Sequence, residues 1–330
     1  MTRTAVQYGI GPIGRRIAQL AHERGVEFVG AIDIDPEKVG RDLGAVADFG
    51  TEVGVEVTDD PETALAADPD VVFHATISDV TAITSQIEAA VSAGADVIST
   101  TEELSYPWHH HPDAAAELDA IAREHGQTVL GTGINPGFAM DTLPAVLTTP
   151  CQHVESVSVT RVQDASQRRK PLQEKVGAGL DEATWNAEIA PEAGHVGLPE
   201  SIAMLAAALD WELETIEETI EPVVAETRTE SEYFTAEPGD VAGIHQVGTG
   251  YVDGEARIEL DLSMFLGAAD PRDEVSIAGD PDLTVTVDGG FHGDLTTPAV
   301  VVNSVPRVRD GTPGLATMID LATPRFSALD

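Results

Sequence analysis

A glycine-rich turn near the start of the chain constrains its fold more strongly than any other stretch. An apolar run at residues 4–8 leads directly into GIGPIG, where Gly9, Gly11 and Gly14 have the spacing G-x-G-x-x-G. A helical pattern follows, and a second apolar run ends at Asp33. In dinucleotide-binding domains the first glycine permits a tight turn, the second lets the pyrophosphate approach the backbone, and the third allows close helix–strand packing. Strand, turn, helix and acidic residue together predict such a domain, because an ordinary glycine-rich turn needs no acidic residue at that distance.

Asp33 bears on which dinucleotide is bound. A carboxylate at the end of the second strand accepts hydrogen bonds from the adenosine ribose hydroxyls, which favours NAD. Lys38 and Arg41 follow closely and offer positive charge to a 2′-phosphate, so the sequence leaves NAD and NADP open. The phosphates themselves are expected at the N-terminus of the helix that begins near Pro12.

Strand and helix patterns alternate regularly over the first part of the chain. After the turn they lie at 26–35, 54–58, 61 onward, 70–78, 80–93, 96–100, 112–125 and 128–133. This alternation is typical of an α/β fold with a doubly wound parallel sheet, the Rossmann arrangement.

The pattern changes after about residue 150. Long stretches of alternating polar and apolar residues lie at 153–165, 217–227, 243–252, 256–266, 273–279 and 283–289. They suit a mainly antiparallel sheet with one wet face, and helical stretches at 181–190 and 199–209 make the second domain α+β. We therefore predict a dinucleotide-binding domain at 1–148 and a substrate and dimerisation domain at 149–299, with 300–330 packing back on the first domain.

The charge of the chain is spread along its whole length. Eighteen basic and 57 acidic residues give a formal net charge of −39. Such a surface repels nucleic acid and anionic membranes, and it is typical of halophilic proteins, which fold in molar salt with a screening length of about 3 Å.

The sequence lacks a long apolar run and a basic-then-apolar leader, so we expect a soluble cytoplasmic protein. The single Cys151 excludes an intramolecular disulfide.

Two adjacent glutamates are the main candidates for catalysis. Ligands of an open parallel sheet bind beyond the carboxyl ends of its strands, and Glu102 and Glu103 follow the strand at 96–100 directly. A glutamate also stabilises a helix N-terminus by about 0.3–1 kcal/mol, which is the default interpretation of Glu103. Position makes Glu102 the stronger candidate for proton transfer.

Two other polar stretches are candidate ligand sites. Three successive histidines, 109–111, cannot all face one ion and lack the i, i+4 spacing of helical ligands, so we predict no metal site. The basic stretch 168–175 is either a local ion-pair cluster or a loop that meets a carboxylate or phosphate, and the sequence does not separate these.

Five stretches resemble the 2,4-diaminopentanoate dehydrogenase family and the related amine dehydrogenases. They are STTEELSYPW, GTGINPGFAMDTLP, RVQDASQRRKPLQEKVGAGL, GHVGLPESIAMLAAALDW and VVNSVPRVRDGTPGLATMIDLATPR. The resemblance implies a nicotinamide-dependent oxidoreductase acting on a primary amine, with the fold of dihydrodipicolinate reductase and a homodimer built on the second-domain sheet. It also implies that Glu102 handles the amine, with Glu103 as the close alternative. Dihydrodipicolinate reductase itself is disfavoured, because WHHHPDAA has neither the lysine nor the DAPSGT loop of that enzyme.

The predicted partners are an amine or ketone and ammonia, with NAD or NADP as cofactor. The expected cofactor-binding residues are Gly9, Gly11, Pro12, Ile13, Gly14, Asp33, Ala75, Thr76, Ser99, Thr100 and Asn135. The expected substrate residues are Phe138, Arg168, His195 and Asn303. Three alternatives stay open: an imine or oxo-acid reductase of the same fold, a dehydrogenase of hydroxyl substrates, and a non-catalytic dinucleotide-binding redox sensor.

Overall fold

The computed structural model describes residues 3–329, which form two compact units. One extends to Phe138 and resumes at Gly293, and the other comprises Ala139–His292. The first boundary lies ten residues before the predicted one, because a helix at Thr142–Leu147 packs on a helix at Leu198–Ala208 within the second unit. The second boundary lies earlier than predicted because Gly293–Arg309 is one continuous helix.

The first unit is built on a seven-stranded, wholly parallel sheet. Its strands are β1 (Thr4–Tyr8), β2 (Glu27–Ile32), β3 (Val57–Thr58), β4 (Val71–His74), β5 (Asp96–Ser99), β6 (Thr128–Gly131) and β15 (Gly314–Ala316). The order across the sheet is β15-β6-β5-β4-β1-β2-β3, so the chain winds outward from β1 in both directions. Ligands of such a sheet bind where the order reverses, beside the carboxyl end of β1.

Helices cover the sheet of the first unit. They are α1 (Pro12–Glu23), α2 (Leu43–Val46), α3 (Pro61–Leu65), α4 (Val80–Ser92), α5 (Pro112–His125) and α10 (Gly293–Arg309), with a 3₁₀ helix at Glu102–Ser105. Asp42, Asp60 and Asp79 begin three of them by accepting hydrogen bonds from backbone N–H groups of the first turn. The central strands read as continuous apolar runs because both of their faces are buried, as in β4, where all four residues are buried.

The second unit contains a six-stranded sheet in the order β14-β13-β7-β12-β11-β8. Its strands are β7 (His153–Asp164), β8 (Thr215–Val224), β11 (Val241–Val252), β12 (Glu255–Phe265), β13 (Arg272–Asp280) and β14 (Leu283–Asp288), and a separate small sheet pairs β9 (Thr229–Glu230) with β10 (Thr235–Ala236). Its helices are α6 (Thr142–Leu147), α7 (Lys170–Lys175), α8 (Glu182–Glu188) and α9 (Leu198–Ala208), with 3₁₀ helices at Ala165–Gln167 and Ala190–Glu192. Helix α9 contacts β11 and β12 on the buried face of the sheet.

The predicted fold class is confirmed: an α/β unit with a doubly wound parallel sheet and an α+β unit with a mainly antiparallel sheet. The second sheet departs from a wholly antiparallel pattern at one pair, since β7 and β12 run parallel. The short strand β15 was not predicted, because three residues carry too little periodicity to identify a strand. Within residues 3–329, no helix is both long enough and apolar enough to span a membrane.

Candidate active site

The glycine turn at the carboxyl end of β1 has the geometry that a pyrophosphate requires. Gly9 has a positive φ of 85°, and a Cβ there would collide with the backbone of Ala75. A Cβ at Gly14 would collide with the carbonyl of Gly9, whereas one at Gly11 would meet nothing within 4 Å. Helix α1 begins at this turn with no side-chain hydrogen bond at its N-cap, so its first N–H groups are available to an anion. Pro12 and Ile13 complete the turn.

Asp33 follows β2 at the same edge, and the backbone fixes its carboxylate. Its Oδ2 accepts a hydrogen bond from Ile10 N at 2.7 Å, and its Oδ1 accepts one from Asp35 N at 2.9 Å. Lys38 Nζ lies 3.1 Å from Oδ2. The next residue, Ile34, is 86% exposed. The exposed Ile34 side chain offers an apolar surface to the adenine ring, and the fixed Asp33 carboxylate offers an acceptor to the ribose. These two residues therefore fit the adenosine half of a dinucleotide.

The ends of β4 and β5 supply the next part of the edge. Ala75 and Thr100 directly follow these strands and are partly exposed, and Thr76 is exposed. Ser99 differs, because its side chain is fully buried and hydrogen-bonds to His74 and Thr101. The Ser99 side chain therefore faces the interior, and contact of this residue with a cofactor, expected through the backbone, stays a prediction.

The two glutamates after β5 have different surroundings. Glu102 Oε2 accepts a hydrogen bond from Ser78 Oγ at 2.7 Å. Glu103 Oε2 accepts one from Val80 N at 2.8 Å and lies 3.4 Å from His111 Nε2. Because Val80 is the first residue of α4, Glu103 satisfies a backbone donor of that helix. The carboxylate of Glu102 is held by a hydroxyl on the strand-end segment that forms the binding edge, so Glu102 is the better candidate for proton transfer.

Asn135 lies in the segment after β6 and is only 8% exposed. Neither its amide nitrogen nor its amide oxygen has a hydrogen-bond partner. A buried polar group left in this state costs about 1–3 kcal/mol, so an amide with both a donor and an acceptor unsatisfied suits a bound ligand. Phe138, which follows in the same segment, is half-buried.

Two of the remaining predicted substrate residues lie in the second unit, and the third lies in α10. Arg168 and His195 belong to the second unit, where Arg168 is 8% exposed and His195 N donates to Gln246 Oε1 at 2.7 Å. Asn303 accepts a hydrogen bond from Arg24, which lies just beyond the C-terminal end of α1 and near the amino ends of the strands. The Asn303 amide is therefore engaged near the amino ends of the strands, whereas the candidate site lies at their carboxyl ends.

The histidine stretch 109–111 and the basic stretch 168–175 both contact neighbouring side chains. Among the residues that the structure describes, no group of three histidine, cysteine or acidic side chains is placed to hold an ion. His111 lies beside Glu103, and the rings of His109 and His110 pack edge to face. In the basic stretch, Lys170 forms an exposed pair with Glu174 at 3.2 Å, which agrees with a local ion-pair cluster at that position.

A buried histidine and a buried ion pair were not predicted from the sequence. His74 is fully buried at the end of β4, with Nδ1 2.8 Å from Ser99 Oγ and Nε2 2.8 Å from Gln86 Oε1. A histidine closing an otherwise apolar strand was the available signal. In the second unit, Arg161 and Asp273 form an ion pair of 2.5 Å and are 3% and 1% exposed. Arg161 stands out in the sequence as a charged residue in an alternating apolar stretch. Its pairing with Asp273, 112 residues away, cannot be identified from local sequence.

His74 should make stability depend on pH. Burial lowers the pKa of His74 to about 4 from 6.5, and the hydrogen bond with Gln86 partly opposes this. Between pH 6.5 and 4, His74 is therefore protonated in the unfolded chain but neutral in the folded one. Its contribution to the free energy of unfolding is complete above pH 6.5 and is lost as the pH falls through this range. The expected loss is about 3 kcal/mol by pH 4.

The His74→Asn variant isolates this effect, because all other titrating groups are shared with the parent chain. Urea unfolding of both proteins at fixed salt, from pH 7 to pH 4, should show their free energies of unfolding converging by about that amount. A difference that is constant over this range would show that His74 is not held neutral in the fold.

Comparison with known proteins places this geometry in a family. Residues 138–329 match the model of the 2,4-diaminopentanoate dehydrogenase C-terminal domain, and residues 5–131 match that of the dihydrodipicolinate reductase N-terminus. The 2,4-diaminopentanoate dehydrogenase of Acetoanaerobium sticklandii is 36% identical over 96% of this chain and 92% of its own length. The amine dehydrogenase of Streptomyces virginiae is 27% identical over 96% of both chains.

A solved structure agrees with these matches. The amine dehydrogenase from Mycobacterium smegmatis superposes with a TM-score of 0.86 at 27% identity, over 99% of this chain and 98% of that one. The predicted resemblance is thus confirmed across nearly the whole chain. The protein belongs to the 2,4-diaminopentanoate dehydrogenase family and is an NAD(P)-dependent oxidoreductase.

Proposed function

We propose that Glu102 is the proton acceptor in an oxidative deamination that uses NAD. The observation that carries this proposal is that the two glutamates have different hydrogen-bond partners. Glu103 is engaged with the start of α4 and with His111, whereas Glu102 is held by Ser78 at the carboxyl edge of the sheet. A carboxylate at that edge, beside the glycine turn, is in the region where ligands of such sheets react.

The chemistry requires one proton acceptor before carbon–hydrogen cleavage. A primary alkylammonium has a pKa near 10, so at neutral pH its nitrogen lone pair is occupied by a proton. Glu102 removes that proton and leaves the neutral amine. When bound, the nicotinamide accepts hydride from the amine-bearing carbon, and the resulting substrate iminium is hydrolysed to a ketone and ammonia. Glu102 then passes that proton to solvent, and the regenerated carboxylate stabilises the iminium charge and orients the attacking water.

The residues proposed to hold the cofactor follow the carboxyl edge. The backbone from Gly9 to Gly14 and the N-terminus of α1 bind the pyrophosphate, and Asp33 binds the adenosine ribose. Ala75, Thr76 and Thr100 border the ring-binding part of the edge, and the unsatisfied amide of Asn135 supplies a donor and an acceptor there. Phe138, Arg168 and His195 are proposed to contact the amine substrate.

NAD is the proposed cofactor because the carboxylates outnumber the cations near the ribose position. Asp33 and Asp35 both lie within ion-pair distance of Lys38, at 3.1 and 3.3 Å, so its charge is already matched. Arg41 is turned toward the carbonyl of Glu37. A 2′-phosphate would add negative charge to this group.

An Asp33→Ser variant tests this choice. Serine removes the bidentate acceptor for the ribose hydroxyls and also the repulsion of a 2′-phosphate, so the dissociation constant should rise for NAD and rise less, or fall, for NADP. Fluorescence titration of the variant and the parent chain with both dinucleotides measures this. Equal changes in both constants would show that Asp33 does not face the ribose.

The substrate class is tested by a screen at molar KCl, which screens the net charge of −39. The amines are 2,4-diaminopentanoate, the compound in the name of one relative, with simple primary amines and α-amino acids, each with NAD or NADP. Amine-dependent formation of the reduced nicotinamide is expected. Dinucleotide binding without turnover of any amine would instead favour the redox-sensor alternative, and turnover only with an alcohol would favour a hydroxyl dehydrogenase.

A homodimer built on the sheet of the second unit completes the proposal. Helix α9 covers one face of that sheet, while the other face carries half-buried side chains such as Val247, Thr249 and Phe265. Sedimentation analysis at molar KCl should give twice the 34.7 kDa chain mass.

A further inference from the structure

A hydrogen-bonded bracket joins the ends of β4 and β5 beneath the binding edge. It consists of His74, Ser99 and Thr101 with the carbonyl of Ile77. His74 Nδ1 lies 2.8 Å from Ser99 Oγ, and Ser99 Oγ donates to Thr101 Oγ1 at 3.0 Å. Thr101 Oγ1 in turn donates to Ile77 O at 2.8 Å. The side chains of all three bracket residues are at most 1% exposed, so water does not substitute for any of these bonds.

The bracket fixes the backbone from which Glu102 projects. Ser99 Oγ also accepts a hydrogen bond from Thr101 N at 3.1 Å, so the turn that ends β5 is closed by a side chain. Thr101 is then the residue immediately before the 3₁₀ helix that begins at Glu102. The position of Glu102 is thus set relative to β4 through Thr101 and Ile77.

A second set of contacts links Glu102 and its neighbour to the segment that contains Ile77 and Ser78. Ser78, the neighbour of Ile77, donates through Oγ to Glu102 Oε2, and its carbonyl accepts from Glu103 N at 3.3 Å. The main chain before Glu102 and the tip of its side chain are therefore both anchored to residues 77 and 78. A loss of the bracket bond at Ile77 would remove the link between Ile77 and the main chain immediately before Glu102.

We propose that Thr101 is a positioning residue for Glu102, and that His74 and Ser99 act through it. The inference rests on the proposed role of Glu102 in proton transfer. Proton transfer requires the carboxylate within about 2.6–3.2 Å of the amine, and a misplacement of about 1 Å can lower a rate about 10²-fold. Thr101 itself is buried, with 1% of its surface exposed, so its effect should appear in the chemical step.

The first experiment compares two replacements of Thr101. Valine has nearly the same shape as threonine but lacks the hydroxyl, whereas serine retains it. In Thr101→Val, kcat for the best amine of the screen should fall about 10- to 100-fold, with KM and the NAD dissociation constant within about twofold of the parent values. Thr101→Ser should recover most of kcat. The kinetic isotope effect of the amine deuterated at the reacting carbon should rise in Thr101→Val, because the chemical step becomes slower relative to product release.

A matched control separates positioning from simple stability. Thr128 is also a buried threonine, 2% exposed, whose Oγ1 donates to the carbonyl of Thr312, but it lies at the amino end of β6. Thr128→Val should lower the melting temperature without changing kcat per folded molecule or the isotope effect. If Thr101→Val behaves in the same way as Thr128→Val, the positioning role is overturned.

The two ends of the His74 ring provide an independent test. Asparagine places an amide near the Nδ1 position and preserves the bond to Ser99, whereas glutamine reaches toward the Nε2 position and loses it. His74→Asn should therefore retain more of kcat than His74→Gln, and equal values for two folded variants would contradict action through Ser99. Glu102→Gln is measured alongside. If it keeps full turnover, the proposed function fails and the inference with it; if it is inactive while Thr101→Val is fully active, only the inference fails.

Discussion

Replacing Glu102 by glutamine is expected to lower turnover about 10²–10⁴-fold, the range typical for loss of a general base. Glutamine keeps the size of the side chain and an oxygen that can accept from Ser78 Oγ, which lies 2.7 Å away in the parent protein. It removes the proton acceptor and the negative charge that stabilises the iminium. Dinucleotide affinity should stay nearly constant, since the glycine turn and Asp33 are untouched. Steady-state kinetics with the best amine of the screen and fluorescence titration with NAD measure the two quantities.

Glu103→Gln is the matched control for this variant. Its carboxylate accepts from Val80 N at the start of α4 and lies 3.4 Å from His111 Nε2, so its loss should cost about 1 kcal/mol of stability and little activity. Should Glu103→Gln abolish turnover while Glu102→Gln spares it, the roles are exchanged and the mechanism stands. If neither variant affects turnover, no carboxylate of this pair is the base.

Replacing Asp273 by alanine should destabilise the second unit by about 3–5 kcal/mol. Asp273 Oδ1 lies 2.5 Å from Arg161 Nη1, and its Oδ2 accepts from Phe291 N at 2.6 Å. Burial lowers the pKa of the Arg161 guanidinium, and the charge of Asp273 opposes that shift. Without Asp273 the guanidinium is a buried charge that keeps the Phe291 carbonyl, at 2.8 Å, as an acceptor. Urea unfolding at constant KCl gives the change in free energy.

A double replacement of the pair shows whether the loss comes from an uncompensated charge. Arg161→Met with Asp273→Leu removes both ions and leaves apolar side chains of similar reach, and such exchanges are often neutral or stabilising. The double variant should therefore be more stable than Asp273→Ala. A double variant as unstable as the single one would mean that the hydrogen bonds to Phe291, and not the charge balance, hold this part of the sheet.

Local sequence signals identified the elements that depend on neighbouring residues. The turn at Gly9–Gly14 was predictable because its constraints are backbone constraints within one strand–helix connection, and the structure gives Gly9 the expected positive φ of 85°. The helices at Pro61, Val80 and Pro112 begin where sequence patterns placed them, because proline and aspartate mark helix starts chemically.

Contacts between distant parts of the chain could not be predicted from local sequence patterns. The pairing of Arg161 with Asp273 depends on the register of β7 against β13, which no local pattern records. Asn303 was predicted to contact the substrate, yet α10 places it beside Arg24, near the amino ends of the strands. Ser99 was correctly expected at the carboxyl edge, but only tertiary packing turns its hydroxyl inward to His74.

The sequence by itself determined the fold class, the position of the glycine turn, the acidic residue after β2 and the presence of two glutamates at the end of β5. It could do so because periodicity and backbone chemistry act over a few residues and reveal which ends of the strands lie at the binding edge. It favoured Glu102 by position but left open which of the two is the base, because they are adjacent and chemically identical. Tertiary structure gives them different partners: the end of β4 and the start of α4 lie beside them, so Ser78 meets one carboxylate and the N–H of Val80 meets the other.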